Sequence, residues 1–341
     1  MKKLRVLVLM HEDLVPPESL EGLTDKEIDR FKPEFDVVSS LADLGHEVRP
    51  LGMVDDLGVV RRAILHWKPH VAFNLLEEFH GVAVYDHHVV SYLELMRQPY
   101  TGCNPRGLML AHDKALSKKI LTYHRIATPR FSVFPTKKRP TRPRRLSFPL
   151  LVKSAIEDAS WGISQASIVT SQEKLVDRVE FIHEEVRSDA IVEEYIEGRE
   201  LYVGVIGNQR LGTFPVWEML FTKMPKDMPH IATAKVKWDE EYQKKYGIDT
   251  RAAKDLPPGV GERIAKISKR VYRTLSLSGY ARMDLRLAPN GRIYVLEANP
   301  NPNLEYGEDF AESAHTTGIH YEALLQRILN LGRNYHAPWR G

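Results

Sequence analysis

The chain has 341 residues, of which 43% are hydrophobic, a formal net charge of +3 and a single cysteine, Cys103. This length predicts two or three packed subdomains with a cleft between them, and no apolar run approaches the roughly 20 residues that cross a bilayer. One cysteine excludes an intramolecular disulfide and a metal site with several thiolate ligands. The opening MKKLRVLVLMHEDL becomes acidic too soon for a signal peptide, which predicts a buried strand in a cytoplasmic protein.

The first hundred residues have the pattern of an α/β domain. The segments LRVLVLM, FDVVSSLADLG and HEVRPL predict a strand, a helix and a strand, and HVAFNLLE predicts a third strand. The polar segment 13–33, between the first strand and its helix, is longer than an ordinary crossover turn. We therefore expect a loop on the substrate side of this domain.

After residue 105 the pattern is that of mixed helix and sheet. Helices are predicted in DKALSKKILTYH, GERIAKISKRVYRTL and YEALLQRILNLG, and strands in ATPRFSVFP, FPLLVKS, AIVEEYIEG and ELYVGVIG. The weakly periodic residues 222–250 predict a mobile loop. The fold class is therefore α/β (α+β), with domains predicted over residues 1–105, 106–197 and 198–341.

The segment KKRPTRPRR, residues 137–145, concentrates positive charge. Its prolines forbid a regular helix and predict an extended connector. A nucleic-acid contact would usually bring interleaved aromatic residues or a wider basic face. We therefore expect no nucleic-acid partner.

The clearest motif is a hairpin in ARMDLRLAPNGRIYVLEAN. Asn290-Gly291 between two alternating strands predicts a tight two-residue turn. Counting outward from that turn sets Asp284 opposite Glu297 and Arg282 opposite Asn299, with all four side chains on one face. The other face should enter the core with Met283, Leu285, Leu287, Tyr294, Leu296 and Ala298.

Two carboxylates that face each other across a strand pair repel, and a divalent cation would remove the repulsion. Asp284, Glu297 and Asn299 offer only oxygen ligands, which suit magnesium, with manganese as an alternative. A competing interpretation is a surface ion-pair cluster in which Arg282 neutralises both acids.

At this point the motifs carry a resemblance. RMD followed by LEANPNPN resembles the metal-binding end of ATP-grasp enzymes, in particular the D-alanine–D-alanine ligase group. FNLLEE, QPYTG, HDKALSKKIL, FPLLVKS, SWGIS and VEEYIEGREL are similar to that group in the same order and spacing. The resemblance implies an ATP-grasp fold, with an N-terminal α/β domain and two α+β subdomains that sandwich ATP.

The resemblance also implies a set of nucleotide-binding residues. They are Lys114 and Lys153 on the α- and β-phosphates, Glu193 and the backbone of Glu194 and Ile196 on the adenine, and Glu200 on the ribose hydroxyls. In the loop EDASWGIS, Ser160 matches a flap over the phosphates. Lys235 matches a lysine that reaches the γ-phosphate, and Lys237 is equally well placed by spacing.

The mechanism implied is phosphoryl transfer from ATP to a carboxylate, followed by attack of an amine on the acylphosphate. Magnesium would lie on Asp284, Glu297 and Asn299, with Arg282 beside the developing oxyanion. The substrates expected are small amino acids or amines, and similar ligases are usually homodimers. No membrane contact is expected.

Two departures concern the substrates. The family has an acid in the loop after the first strand that binds the first substrate's ammonium; here Glu12 or Glu18 would replace it, and Glu77 and Glu78 are rival candidates.

After Asn299 the family has a serine- and glycine-bearing turn that holds the acceptor's carboxylate. This chain has NPNPNLEYGEDF, whose acids would repel a carboxylate. The turn makes Asn303 and Glu308 candidate substrate-binding residues and predicts an acceptor with a cationic or neutral end. Alternatives are a D-alanine–D-alanine ligase itself, an enzyme that modifies a protein tail, and a non-catalytic nucleotide sensor.

Overall fold

The computed structural model describes residues 2–136, 138, 140–156, 163–225 and 228–340. The strands of these residues form three sheets. In this part of the chain no helix combines the length and the hydropathy needed to span a membrane.

The N-terminal sheet is parallel, with β1 (Arg5–His11) between β2 (Glu47–Met53) and β3 (Val71–Asn74). β1 is buried from Val6 to Met10 because both faces of the sheet are covered, which explains its unbroken apolar run. The helices of this region are α1 (Asp25–Asp29), α2 (Lys32–Asp43), α3 (Leu57–Trp67) and α4 (Asp86–Leu95). The α/β prediction is confirmed, and the carboxyl ends of β1 and β3 lie at one edge.

The predicted substrate-side loop contains α1. A reciprocal capping box begins this helix: the Glu27 N–H donates to the Thr24 hydroxyl, and the Glu27 carboxylate accepts from the Thr24 N–H at 2.8 Å. The segment is thus partly helical between β1 and α2.

The central sheet is antiparallel in the order β4-β7-β5-β6. Its strands are β4 (Phe131–Phe134), β5 (Leu150–Ser154), β6 (Ile168–Val169) and β7 (Ala190–Glu194), and α7 (Gln172–Phe181) packs on it. Two helices precede it, α5 (Pro105–His112) and α6 (Lys114–Tyr123). Their buried side chains Leu108 and Leu121 enter the core of the large sheet, so these helices join the two sheets.

Two arginines of the basic segment, Arg142 and Arg145, contact residues close to it in the chain. The Arg145 guanidinium donates to the Phe131 carbonyl at 3.0 Å and to the Ser132 hydroxyl at 3.1 Å, and Arg142 donates to the Leu146 carbonyl. These contacts suit a connector laid along β4.

The large sheet runs in the order β11-β10-β8-β12-β13, with β9 paired to β8. Its strands are β8 (Arg199–Ile206), β9 (Gly212–Thr213), β10 (Trp217–Phe221), β11 (Ile248–Ala252), β12 (Tyr280–Leu287) and β13 (Ile293–Pro300). The helices here are α8 (Ala234–Trp238), α9 (Glu240–Tyr246), α10 (Val260–Thr274), α11 (Asp309–His315) and α12 (Tyr321–Arg333). Leu324 of α12 shares a core with Val8 of β1, so the first and third sheets pack through α12.

The mobile loop predicted over residues 222–250 is wrong where α8, α9 and β11 form. Elements of five to seven residues are too short to show a clear helical period. Local caps begin the two helices, with the Thr233 side chain accepting from Val236 N–H at 3.2 Å and Asp239 from Tyr242 N–H at 2.9 Å.

Candidate active site

The predicted hairpin forms, but its turn differs from the prediction. Ala288 N–H donates to Arg292 O at 2.9 Å and Gly291 N–H to Ala288 O at 2.9 Å, so three residues form the loop and Gly291 lies at φ +76°. The two-residue turn is therefore wrong. Pro289 explains the difference, because its fixed φ favours the first central position of a type I turn followed by a left-handed glycine.

A β-bulge then compensates for the longer turn. Next to the turn Leu285 pairs with Val295, and the register shifts between Asp284 and Leu285. Beyond the shift the pairs are those that the sequence predicts, Asp284 with Glu297 and Arg282 with Asn299.

The bulge changes which side chains enter the core. Ile293 and Val295 are buried in the core of the large sheet, whereas Tyr294 and Leu296 are only partly buried. The prediction that Tyr294 and Leu296 face the core is wrong, because it assumed strict alternation through position 296.

Asp284 forms a buried ion pair with its neighbour on the same face. Arg282 Nε lies 2.8 Å from Asp284 Oδ1 and Arg282 Nη2 lies 2.9 Å from Oδ2, and the guanidinium stands 4.7 Å from the centre of the Tyr202 ring. Burial raises the pKa of Asp284, Arg282 opposes the rise and the charge of Glu297 adds to it. Burial alone would lower the pKa of Arg282, but the pair with Asp284 outweighs it and the pKa is raised.

Glu297 faces the central sheet. Lys153 Nζ on β5 lies 3.7 Å from Glu297 Oε2 and 3.4 Å from Glu193 Oε1 on β7. The ammonium of Lys153 therefore lies between a predicted metal ligand and a predicted adenine-binding residue. This contact joins the central and large sheets at the face that carries Asp284.

Lys118 is a member of this cluster that the sequence did not single out. Its Nζ lies 3.2 Å from Glu193 Oε2 and donates to the carbonyl of Leu296, the bulge residue, at 2.7 Å. Burial lowers the pKa of Lys118 to about 8, although Glu193 opposes the shift. Its spacing of four residues from Lys114 places both on one face of α6, but the spacing does not show that its partners are Glu193 and Leu296.

Comparisons with known proteins agree with this arrangement. The family model described as D-ala D-ala ligase C-terminus matches residues 120–330. The uncharacterized protein y4sG of Sinorhizobium fredii is 31% identical over 306 residues, 86% of this chain and 85% of that protein. The D-alanine–D-alanine ligase of Bordetella avium is 29% identical over 254 residues, 73% of this chain and 75% of that protein.

A similar solved structure is that of the Bacillus anthracis D-alanine–D-alanine ligase in complex with ATP. It has a TM-score of 0.72 and 24% identity, and the match covers 96% of this chain and 97% of that one. The chain belongs to the D-alanine–D-alanine ligase family. It therefore has the ATP-grasp fold and is an ATP-dependent ligase that forms carbon–nitrogen bonds.

In this ligase the predicted adenine-binding residues lie at the end of β7. The Glu194 carboxylate is held by Arg130 at 2.7 and 2.8 Å, and the Glu194 N–H donates to the Arg130 carbonyl at 2.9 Å. Within the described part of the chain, no acceptor takes a hydrogen bond from the Ile196 N–H. The Ile196 N–H is therefore the group here that can donate to a base.

The predicted ribose-binding residue of the ligase, Glu200, is buried with both oxygens engaged. Arg286 Nη2 lies 2.5 Å from one oxygen, and the Tyr202 hydroxyl donates to the other at 3.0 Å. Each carboxylate oxygen accepts more than one hydrogen bond, so these contacts leave room for a hydroxyl donor. Arg286 was missed because its partner lies 86 residues away.

The predicted phosphate-binding residues differ in how deeply they are buried. Lys114 is buried in the first turn of α6, and its N–H donates to the Ala155 carbonyl at the end of β5 at 3.1 Å. Lys235 is exposed, whereas Lys237 is partly buried. Burial raises the pKa of Asp284, and the positive charge of Lys237 opposes this rise. Ser160 lies outside the described residues.

Two of the acids predicted to bind substrate lie at the edge of the N-terminal sheet where β1 and β3 end. Glu77 and Glu78 follow β3, and Glu78 Oε1 lies 3.7 Å from His11 Nε2 at the end of β1. Glu12 and Glu18 are both exposed.

The turn after Asn299 brings a further acid to the ligase site. Burial raises the pKa of Asp309 to about 6, Arg282 opposes the rise, and the charges of Glu308 and Asp284 add to it. Glu308 itself is exposed, and the Asn303 side chain accepts from Glu305 N–H at 2.9 Å. Asp309 was not predicted as a site residue, because sequence spacing does not show that α11 turns it back toward Arg282.

Proposed function

We propose that this ligase uses ATP and magnesium to join a carboxylate to an amine through an acylphosphate, with an acceptor other than D-alanine. The observation that carries the proposal is the pair Asp284 and Glu297, which face each other on one side of the hairpin with Lys153 beside them. ATP would lie between the proposed domains 106–197 and 198–341, where Lys153 connects the two sheets.

The donor atoms at this face fit magnesium. Asp284, Glu297 and Asn299 offer hard oxygen ligands, and the charge of Glu297 raises the pKa of Asp284, a repulsion that a divalent cation would relieve. No cluster of three or more His, Cys, Asp or Glu side chains suited to a metal occurs among the described residues, so the Asn299 amide would be the third protein ligand. A bound ion would neutralise phosphate charge, and manganese has the same ligand preference.

The protein's own groups would position the reactants. Lys153 and Lys114 would bind phosphate oxygens, with Lys237 or Lys235 approaching from α8 and Ser160 from the flap. Glu193, Glu194, Ile196 and Glu200 would hold the nucleoside. Arg282, fixed by its two contacts with Asp284, would stabilise the oxyanion that forms when the amine attacks.

The acidic turn supports an acceptor with a cationic or neutral end. Glu305, Glu308 and Asp309 lie where a carboxylate would be repelled, and burial of Asp309 strengthens such an interaction. Asn303, Glu308, Glu77 and Glu78 are the proposed substrate-binding residues. A D-alanine–D-alanine ligase activity is the second candidate, because the Bordetella avium relative carries that name. A homodimer and a cytoplasmic location remain predictions from the sequence.

A phosphate-release screen over pairs of amino acids, amino-acid amides and diamines tests the function, with mass spectrometry of the product. We expect magnesium-dependent turnover that Glu297→Gln abolishes and the exposed control Glu173→Gln retains. Hydroxylamine in place of the acceptor should give a hydroxamate, because it captures an acylphosphate. If D-alanine alone is the best acceptor, the acceptor proposal is wrong; if product forms but no hydroxamate does, the acylphosphate proposal is wrong.

A further inference from the structure

A polar pocket adjoins the reactive face of the hairpin. It lies between the end of β3 and the turn after Asn299 and is lined by Glu34, Asn74, Glu77, Tyr280, Asn301 and Asn303, among others. Tyr280 precedes Arg282 by two residues on β12, so the two side chains face the same way about 7 Å apart along the strand. Tyr280 therefore connects this pocket to the strand face that carries Arg282.

Three buried polar atoms at this pocket have no hydrogen-bond partner among the described residues. They are Glu34 Oε2, Asn74 Nδ2 and Asn301 Nδ2. Glu34 is 6% exposed and Asn74 is 1% exposed, so bulk water does not satisfy them. Buried polar atoms are almost always paired, and three unpaired atoms on one pocket indicate a polar occupant.

The orientation of the two amides is fixed by their other ends. Asn74 Oδ1 accepts from Leu76 N–H at 3.3 Å, and Asn301 Oδ1 accepts from Cys103 N–H at 2.8 Å. Both unpaired groups are therefore N–H donors, and Glu34 Oε2 supplies an acceptor once the carboxyl group ionises, because burial raises its pKa to about 7.

These donors and the acceptor select among possible end groups. A carboxylate would be repelled by Glu34, Glu77 and the nearby Glu305. Burial raises the pKa of Glu34, and the charges of Glu77 and Glu305 add to the rise. An ammonium would pair with Glu34 but would leave both amide N–H groups facing donors. A primary carboxamide has an oxygen that accepts from the amides and an NH₂ that donates to Glu34.

We propose that this pocket binds the primary carboxamide of an amino-acid amide acceptor, with Glu34 and Asn74 as its specificity-determining residues. The inference rests on the proposed ligase function, because it names the acceptor's end group. It also accounts for the acidic turn, which a neutral carboxamide tolerates and a carboxylate does not.

Calorimetric titration of the full chain with alaninamide and with alanine, each enantiomer separately and with magnesium and ADP present, tests the pocket without turnover. We expect alaninamide to bind at least tenfold more tightly than alanine. Glu34→Met and Asn74→Leu should each weaken alaninamide at least tenfold, whereas Glu34→Gln, which keeps an acceptor, should lose less than Glu34→Met. The exposed control Glu173→Met should bind as the wild type does.

The outcomes separate this inference from the proposed function. If the wild type ligates amino acids but binds alanine as well as alaninamide, or if both pocket variants bind alaninamide normally, the pocket holds ordered water only and the inference is wrong. If alaninamide binding depends on Glu34 and Asn74 but no bond forms with ATP, the pocket stands and the proposed function fails. If a variant does not fold, the same titration compares Glu34→Gln with Asn74→Ser.

Discussion

Replacing the two facing carboxylates one at a time separates a structural role from a catalytic one. Asp284→Asn removes the charge that pairs with the Arg282 guanidinium, and that pair is almost fully buried, with side chains 7% and 15% exposed. Glu297→Gln removes a carboxylate that is 30% exposed and lies 3.7 Å from the Lys153 ammonium. Both changes preserve side-chain shape, so they differ in the burial of the carboxylate that is removed and in the partners that the remaining cation keeps.

The burial of each partner sets the expected magnitude. Breaking a buried ion pair by removing one partner costs about 3–5 kcal/mol; Arg282 keeps the Tyr202 ring and the charge of Asp309, which favours the lower end. Lys153 keeps Glu193 when Glu297 is changed, and a part-exposed pair contributes no more than about 1 kcal/mol. Asp284→Asn should therefore be the less stable variant by about 2 kcal/mol or more.

Urea unfolding followed by circular dichroism measures the difference. With a slope of about 3 kcal/mol per molar urea, Asp284→Asn should lower the apparent midpoint by roughly 1 M and Glu297→Gln by less than about 0.3 M. Removing a group in the outer shell of a metal site typically lowers activity by roughly 10–100-fold. Because Asp284 and Glu297 are the proposed ligands themselves, both variants should lose more ATP turnover than that. Equal midpoints for the two variants, or full turnover in Glu297→Gln, would refute the reasoning.

Three further predictions concern other parts of the chain. Gly198→Ala should lower stability by about 2 kcal/mol or more, because Gly198 lies at φ +144° and a Cβ would stand 2.1 Å from a backbone oxygen; Gly261→Ala, which meets nothing within 4 Å, should be neutral or raise the melting temperature. Burial raises the pKa of Glu34 from 4.5 to about 7, so the folded protein keeps a proton that the unfolded chain releases and stability falls as pH rises through that window. Between pH 4.5 and 8 this fall in the free energy of unfolding is about 3 kcal/mol. Glu34→Gln should remove it, as measured by urea titrations at the two pH values. Lys237→Met should reduce ATP turnover at least roughly tenfold and Lys235→Met less than about twofold, because the charge of Lys237 acts on Asp284 whereas Lys235 is exposed; the reverse order would assign the phosphate contact to Lys235.

The hairpin shows what strand alternation predicts and where it fails. The facing pairs of Asp284 with Glu297 and of Arg282 with Asn299 follow from counting, yet the count assumed a two-residue turn and no bulge. The longer turn and the bulge change the register in opposite directions, so the two facing pairs form as counted while the core residues next to the turn differ from the prediction. Sequence alternation gives no sign of a bulge whose extra residue, Leu296, is itself apolar.

The candidate site was predictable where a residue belongs to a motif and not where it depends on packing. Lys153 lies in FPLLVKS and Glu193 in VEEYIEG, and the structure places them 3.4 Å apart between strands β5 and β7. Lys118 and Asp309 reach the site from other elements, and Arg286, on the same strand as Asp284, pairs with an acid on a neighbouring strand. Their roles depend on how α6 and α11 pack and on a partner strand, which no local pattern encodes.

Lys118 shows how the bulge and the nucleotide side of the site are linked. A bulge leaves one backbone carbonyl outside the ladder, and a buried carbonyl without a partner would cost about 1–3 kcal/mol. The Lys118 ammonium satisfies this carbonyl, at Leu296, and with the same atom contacts Glu193 on the central sheet. Because Leu296 directly precedes Glu297, the Lys118 ammonium contacts both the strand of the proposed metal ligand and the acid at the proposed adenine position. Lys153 also contacts both Glu193 and Glu297, so a shift between the two sheets would disturb contacts of two buried ammonium groups.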